Sequence, residues 1–314
     1  MSDNFPILRS VMYVPGTDPQ KILKALLSDA DGIILDLEDS TAPSSKGAAR
    51  GHVVEAINRG NFGHHTIIVR CNALGTEWGP EDLAQVAGAG PHAILAPKVS
   101  SERGVRAYLA AMNTAPPHTE LWVMAETVAC FNGNLPRIAA IGSEPSSRLT
   151  TLVFGANDIK KEMRALDAPR REPLQYALAQ TVIAARDNNL HALDGVFNKF
   201  VGKDKSEEEN NAIAAEFESE CRQGHSFGFD GKTLIHPTQI AIANDIFRPS
   251  AHEVARDQKI IDIFDLPGNI GKGVVAAPWG GMLEAPIHLA QAKRTVAINR
   301  RIQEIESLSA RSAH

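Results

Sequence analysis

Eight short apolar runs, each followed by a stretch carrying helix signals, constrain this chain more than any other feature it has. The runs occupy residues 11–14, 32–35, 66–70, 93–96, 121–125, 152–154, 193–197 and 232–235. Between the first two, Asp18 before Pro19 reads as a helix N-cap followed by the first helical position, with Ile22, Leu23, Leu26 and Leu27 as one apolar stripe. Residues 174–188 form a second amphipathic candidate. Ser250-Ala251-His252-Glu253 is a capping box, opening a helix that turns Val254, Ile261 and Phe264 inward. Eight strands in strict alternation with helices predict a closed parallel TIM (β/α)8 barrel rather than an open doubly wound sheet. No Gly-x-Gly-x-x-Gly follows the first run, which removes the main signature of a dinucleotide fold.

The alternation stops near residue 265. Pro267-Gly268-Asn269-Ile270-Gly271-Lys272-Gly273 and Pro278-Trp279-Gly280-Gly281 read as linkers, and a long helix is expected from about Pro286 to Ile305. The expected organisation is a catalytic barrel over 1–265 and a helical arm over 266–314, free to cover its own mouth or a neighbour's. At 314 residues the barrel fits as a single unit. A net charge of -5 argues against a nucleic-acid partner, which would want a basic face. No run of about 18 apolar residues predicts a membrane span, and residues 1–9 lack the pattern of a secretory signal. Three scattered cysteines, Cys71, Cys130 and Cys221, fit a reducing compartment, so a cytoplasmic location is expected.

Carboxylates gather where the runs end. Ile33-Ile34-Leu35 passes directly into Asp36-Leu37-Glu38-Asp39, and Glu126 and Asp158 each follow an apolar run. In a barrel such positions lie at the C-terminal mouth, where active sites are built. Strands lie about 5 Å apart, so Glu126 and Asp158 can share one hard cation, and an oxygen-only donor set favours Mg²⁺. Equally, one can cap a helix while the other pairs with a lysine such as Lys160. Arg70 ends its run and offers a planar fork to a substrate carboxylate, or an internal partner to Asp36 or Glu38. Asp36 and Glu38, two apart, face the same side in extended backbone. Lys98 reads as a Schiff-base lysine or, better, as half of an ion pair. His236, after the last run, reads as a structural hydrogen-bonding group, and Ser10 and Ser40 lack a partner base.

Taken together, Tyr13-Val14-Pro15-Gly16, Leu35 to Ser40, Lys46 with Ala49-Arg50, Val69-Arg70-Cys71-Asn72, Pro97-Lys98, Glu126-Thr127, Phe154 to Asp158, Gly228 to Lys232 and Ile235-His236-Pro237 resemble the citrate lyase β-subunit-like branch of the HpcH/HpaI aldolases. The match runs in order along nearly the whole chain. The resemblance implies a TIM barrel, Mg²⁺ and a homotrimer or a multiple of it. It implies Glu126 and Asp158 as metal ligands, Arg70 on the substrate carboxylate and carbonyl oxygens, and the backbone of Asn157 and Asp158 against substrate. It also implies acyl-CoA contacts from Tyr13, Lys24, Ile235 and His236. Two positions depart from the pattern. Asp18 stands where related malyl-CoA lyases carry an arginine, and Glu284 stands where the arm carries an aspartate that acts on a neighbouring subunit's substrate. The extra methylene of Glu284 moves its carboxylate by about 1.5 Å.

The implied reaction is retro-Claisen cleavage of a 3-hydroxy-3-carboxyacyl-CoA, of the citramalyl-, malyl- or citryl-CoA type, into a 2-oxo acid and an acyl-CoA. Glu284 would protonate the enolate carbon, while Asp36 and Glu38 would order water around the ion. Three rival expectations stand beside it: a metal-dependent aldolase acting on free hydroxy-oxo acids, a malyl-CoA thioesterase or malate synthase-like enzyme, and a non-catalytic binding protein.

Overall fold

β1 (Ser10–Pro15) pairs in parallel with both β2 (Gly32–Asp36) and β8 (Gly231–Leu234), which closes the sheet. Between them run β3 (Thr66–Arg70), β4 (Ala93–Ala96), β5 (Glu120–Ala125), β6 (Leu149–Phe154) and β7 (His191–Asp194), in chain order around the barrel. This computed structural model describes residues 5–312. It divides into a barrel unit, Leu8–Phe247, and a second unit made of residues 5–7 with the chain from Arg248 onward. The helix opened by Ser250 falls in the second unit.

Strand periodicity sorts the barrel's side chains into two layers. Val11, Ile34, Ile68, Leu95, Trp122, Met124, Val153 and Leu193 fill the interior as one buried cluster. The alternate residues, among them Ile33, Leu35, Ile67, Val69, Ile94 and Leu152, pack outward against the helices. These helices are α1 (Pro19–Ala25), α2 (Lys46–Arg59), α3 (Gly79–Ala89), α4 (Glu102–Ala111), α5 (Leu135–Ala140), α6 (Ala156–Met163), α7 (Gln175–Asp187), α8 (Glu207–Phe227) and α9 (Ile240–Ile246). Among the described residues no helix is long and apolar enough to cross a membrane.

Register places the chemistry. Pro15 pairs with Asp36 and Asp36 with Arg70, so the last residues of β2 and β3 stand side by side. Ala125 pairs with Phe154, which sets Glu126 against Gly155, one residue beyond each strand. A Cβ on Gly155 would overlap the Cβ and Oε2 of Glu126. Glycine at this point is therefore what lets the Glu126 side chain lie flat across the top of β6.

Three local expectations need correction. β7 stops at Asp194 instead of reaching Phe197. Phe197 is buried, but from a loop, where it packs on Phe217 with ring centroids 5.5 Å apart. Burial without a ladder misled the pattern. β8 ends at Leu234 because the next two backbone N–H groups, of Ile235 and His236, donate to Gln239 Oε1. On α1 only Ile22 and Ala25 are buried and Leu23 is exposed, and Leu27, also exposed, lies past the helix, which stops at Ala25.

In the second unit α10 (Ala251–Phe264) opens with the expected capping box, Ser250 Oγ accepting from Glu253 N and Glu253 Oε2 from Ser250 N. Ile260, Ile263 and Phe264 are its buried face, with Val254 and Ile261 only half-buried. An antiparallel pair, β9 (Val274–Ala276) and β10 (Met282–Glu284), adds Val275 and Leu283 to that core. A wide turn over Ala285–Leu289, which contains Pro286, precedes α11 (Ala290–Ser312).

Candidate active site

Arg70 is the hub of the mouth. Its Nε donates to Asp36 Oδ1 at 2.7 Å and its Nη2 to Asp36 Oδ2 at 2.8 Å, a bidentate pair buried on both sides. Nη1 points the other way, 2.9 Å from Glu38 Oε2 and 3.3 Å from Asp39 Oδ2. The guanidinium also lies over the Tyr13 ring, 4.8 Å from its centroid. Burial would raise the Asp36 carboxyl, but the charge of Arg70 and hydrogen bonds from Arg70, Ser40 N and Glu38 N outweigh it and hold it below the usual range. Glu38 goes the opposite way. Burial dominates, and with the negative charges of Asp39 and Glu126 it outweighs Arg70, so the carboxyl is pushed up to about 8. Burial likewise holds the Tyr13 phenol protonated.

Glu126 and Asp158 converge, and the side chain between them is Lys98. The Lys98 ammonium lies 2.5 Å from Asp158 Oδ1 and 3.7 Å from Glu126 Oε1. The Lys98 backbone N–H donates to the same Glu126 oxygen at 2.6 Å. Lys98 adopts a left-handed backbone, φ +56°, uncommon for a residue with a side chain. Lys160, the alternative partner for Asp158, pairs with Asp167 instead. Glu126 is fully buried, and its Oε2 has no hydrogen-bond partner. Its burial raises the carboxyl, with the charge and N–H of Lys98 holding it back in part. A buried carboxylate oxygen left without a donor, beside a second carboxylate, fits a hard divalent cation that keeps several waters. Among the described residues no group of three or more His, Cys, Asp or Glu side chains gathers to cage a metal entirely with protein. The oxygen donors of two carboxylates suit a hard ion such as Mg²⁺ better than a softer one.

The remaining candidates lie around this centre. Asn157 exchanges two amide hydrogen bonds with Asn198, at 3.2 and 2.7 Å, tying the first turn of α6, which carries Asp158, to the loop after β7. Ile235 is exposed, and the His236 ring stacks on Phe200 with centroids 4.3 Å apart. The structural role expected of His236 is visible too, since its Nδ1 accepts from Thr238 N. Lys24 is exposed on α1. Asp18 caps that helix, accepting from Gln20 N and Lys21 N, which accounts for an acid at this position. Glu284 is exposed at the end of β10 in the second unit.

Two sets of residues received no role from the sequence, although Lys46, Arg50, Asn72 and Lys232 stand in the motifs that carry the resemblance. Lys46, buried on α2, donates to Leu37 O, Glu38 O and Asn72 Oδ1 at 2.7–2.8 Å. Asn72 in turn bonds Leu37 O and Asp82, and Asp82 is paired with Arg50. This chain pins the loop that brings Glu38 and Asp39 to Arg70. The second set lies outside the barrel wall, where Asp194 pairs with Arg171 and Lys232, and Lys232 with Glu220. A lysine and an acid inside apolar runs were its only signals.

A closed parallel barrel with an arginine and paired carboxylates at the C-terminal ends of its strands defines a (β/α)8-barrel enzyme. The profile of the HpcH/HpaI aldolase/citrate lyase family matches residues 9–237. Over 289 residues, 92% of this chain and 93% of the relative, the sequence is 37% identical to the (3S)-malyl-CoA thioesterase of Cereibacter sphaeroides strain ATCC 17025. It is 28% identical over 308 residues to the mitochondrial citramalyl-CoA lyase of Homo sapiens, covering 94% of this chain and 86% of that one. The citrate lyase beta subunit of Mycobacterium tuberculosis, solved with oxaloacetate and magnesium, superposes with a TM-score of 0.61 at 25% identity, covering 77% of this chain and 99% of that chain. This chain belongs to the HpcH/HpaI aldolase/citrate lyase family and is an enzyme of the carbon–carbon lyase type.

Proposed function

We propose that this enzyme is a magnesium-dependent lyase that cleaves a 3-hydroxy-3-carboxyacyl-CoA, of the citramalyl-, malyl- or citryl-CoA type, into a 2-oxo acid and an acyl-CoA. The observation that carries the reading is the convergence of Glu126 and Asp158 on one cationic atom at the barrel mouth. A relative named as a citramalyl-CoA lyase and a structural neighbour holding oxaloacetate and magnesium support it.

Glu126 and Asp158 would hold Mg²⁺, which when bound acidifies the substrate hydroxyl and withdraws charge from its carboxylate. Arg70 stabilises the oxygen charge that grows as the carbon–carbon bond breaks. Its plane is fixed by Asp36, and Nη1, held on one side by Glu38 at 2.9 Å, has one exchangeable partner: its contact with Asp39 is long, 3.3 Å, and the Asp39 side chain is 63% exposed. A substrate carboxylate displaces Asp39 at little cost. Asp36 and Glu38 hold Arg70 in place, and the backbone at Asn157 and Asp158 lines the substrate. Tyr13, Lys24, Ile235 and His236 form the acyl-CoA side. The hydroxyl proton passes to solvent as the carbon–carbon bond breaks, and Glu284, from the arm of another subunit in a homotrimer or hexamer, gives its carboxylic acid proton to the enolate carbon and is reprotonated from water.

The 37% identity to a malyl-CoA thioesterase favours a second reading, in which water attacks the thioester carbonyl and releases the free acid and CoA. One assay separates them. Malyl-, citramalyl- and citryl-CoA are incubated with enzyme and Mg²⁺, and 2-oxo acid and thioester are followed independently. Appearance of 2-oxo acid with the thioester retained is the expected result; loss of thioester establishes hydrolysis, and neither change removes acyl-CoA substrates altogether.

A further inference from the structure

Lys98 touches both carboxylates through two different groups, and the two contacts differ in permanence. The backbone N–H is fixed to Glu126 Oε1 by a left-handed turn directly after Pro97. Its ammonium is held by charge, with the side chain one-third exposed. It can therefore leave toward solvent while the backbone contact stays. A cation cannot engage Glu126 and Asp158 together while the ammonium lies 2.5 Å from one and 3.7 Å from the other.

We propose that Lys98 is a tethered counter-cation of this site, so that loading the metal is an exchange in which the divalent ion displaces the Lys98 ammonium. This rests on the metal reading above. The exchange follows from charge. Two carboxylates, one fully buried, repel each other and cost free energy unless a cation lies between them. With Lys98 in place the trio carries one net negative charge, and a divalent ion in its stead brings the pair to neutrality. The tether has a thermodynamic consequence. A permanently attached competitor lowers the apparent affinity for Mg²⁺ while stabilising the fold without it. The ammonium released at the mouth then lies beside the route of an anionic substrate.

The test is a calorimetric titration of Mg²⁺ into the full-length protein and into Lys98→Met, with thermal unfolding of each recorded with and without the ion. Lys98→Gly serves as a second variant, since glycine keeps the N–H and tolerates the positive φ. The expected result is about tenfold tighter Mg²⁺ binding in both variants, a discounted value for a partly exposed pair. A lower unfolding temperature without metal, largely recovered by adding it, should accompany the change. Unchanged or weaker Mg²⁺ binding in folded variants, with the wild type binding normally, overturns the exchange and leaves the metal reading standing. No Mg²⁺ binding by the wild type overturns the metal reading itself.

Discussion

At the scale of single residues, position 155 is set by its neighbour. Gly155→Ala places a methyl against the Glu126 carboxylate, and overpacking of this kind costs about 1–3 kcal/mol, readable from urea midpoints. Glu38 gives a pH-dependent prediction. Its value in the folded protein, about 8, lies above the ordinary 4.5, so the folded state holds this proton more tightly than the unfolded chain. The stability it contributes is complete below about pH 4.5 and is lost as the pH rises toward about 8. Glu38→Gln should flatten that part of the wild-type curve in denaturation at a series of pH values; an identical curve contradicts the assignment. Much at this scale was legible beforehand. The two-residue spacing of Asp36 and Glu38 put both on Arg70, and apolar runs ending in Glu126 and near Asp158 marked the mouth. The left-handed turn of Lys98 was not legible, because nothing in Ala96-Pro97-Lys98 announces a positive φ; only the demand of Glu126 for an N–H explains it.

At the scale of elements, the alternation of runs gave the strands, and errors fell where burial and hydrogen bonding part company. Phe197 is buried without a ladder, and Ile235 leaves the ladder because Gln239, a polar residue five places past β8, claims its N–H. Side-chain acceptors of that kind leave no periodic trace. The loop after β2 depends on the same sort of contact. Lys46→Met removes three charge-assisted hydrogen bonds and leaves two carbonyls of residues 37 and 38 buried with less satisfaction, at a cost of about 3 kcal/mol. Turnover should fall with it, because Glu38 and Asp39 lose their fixed position against Arg70, and Lys46→Arg should recover only part of the loss. Full activity in a folded Lys46→Met protein would contradict the role given to this loop.

At the scale of the whole molecule, the proposed oligomer, in which a neighbour's arm completes each site, predicts complementation. Arg70→Ala and Glu284→Gln proteins, each inactive by itself, should regain partial turnover when refolded together as mixed oligomers, since some sites then carry both intact groups. Additive inactivity confines Glu284 to its own chain or to a structural role. Everything else depends on Glu126 and Asp158 gripping a single ion. The direct measurement is equilibrium binding of Mn²⁺, standing in for Mg²⁺, to the wild type, Glu126→Gln and Asp158→Asn. One ion per chain in the wild type, with affinity lowered by at least about 100-fold in each variant, is the predicted result; wild-type affinity retained in either folded variant would contradict the account.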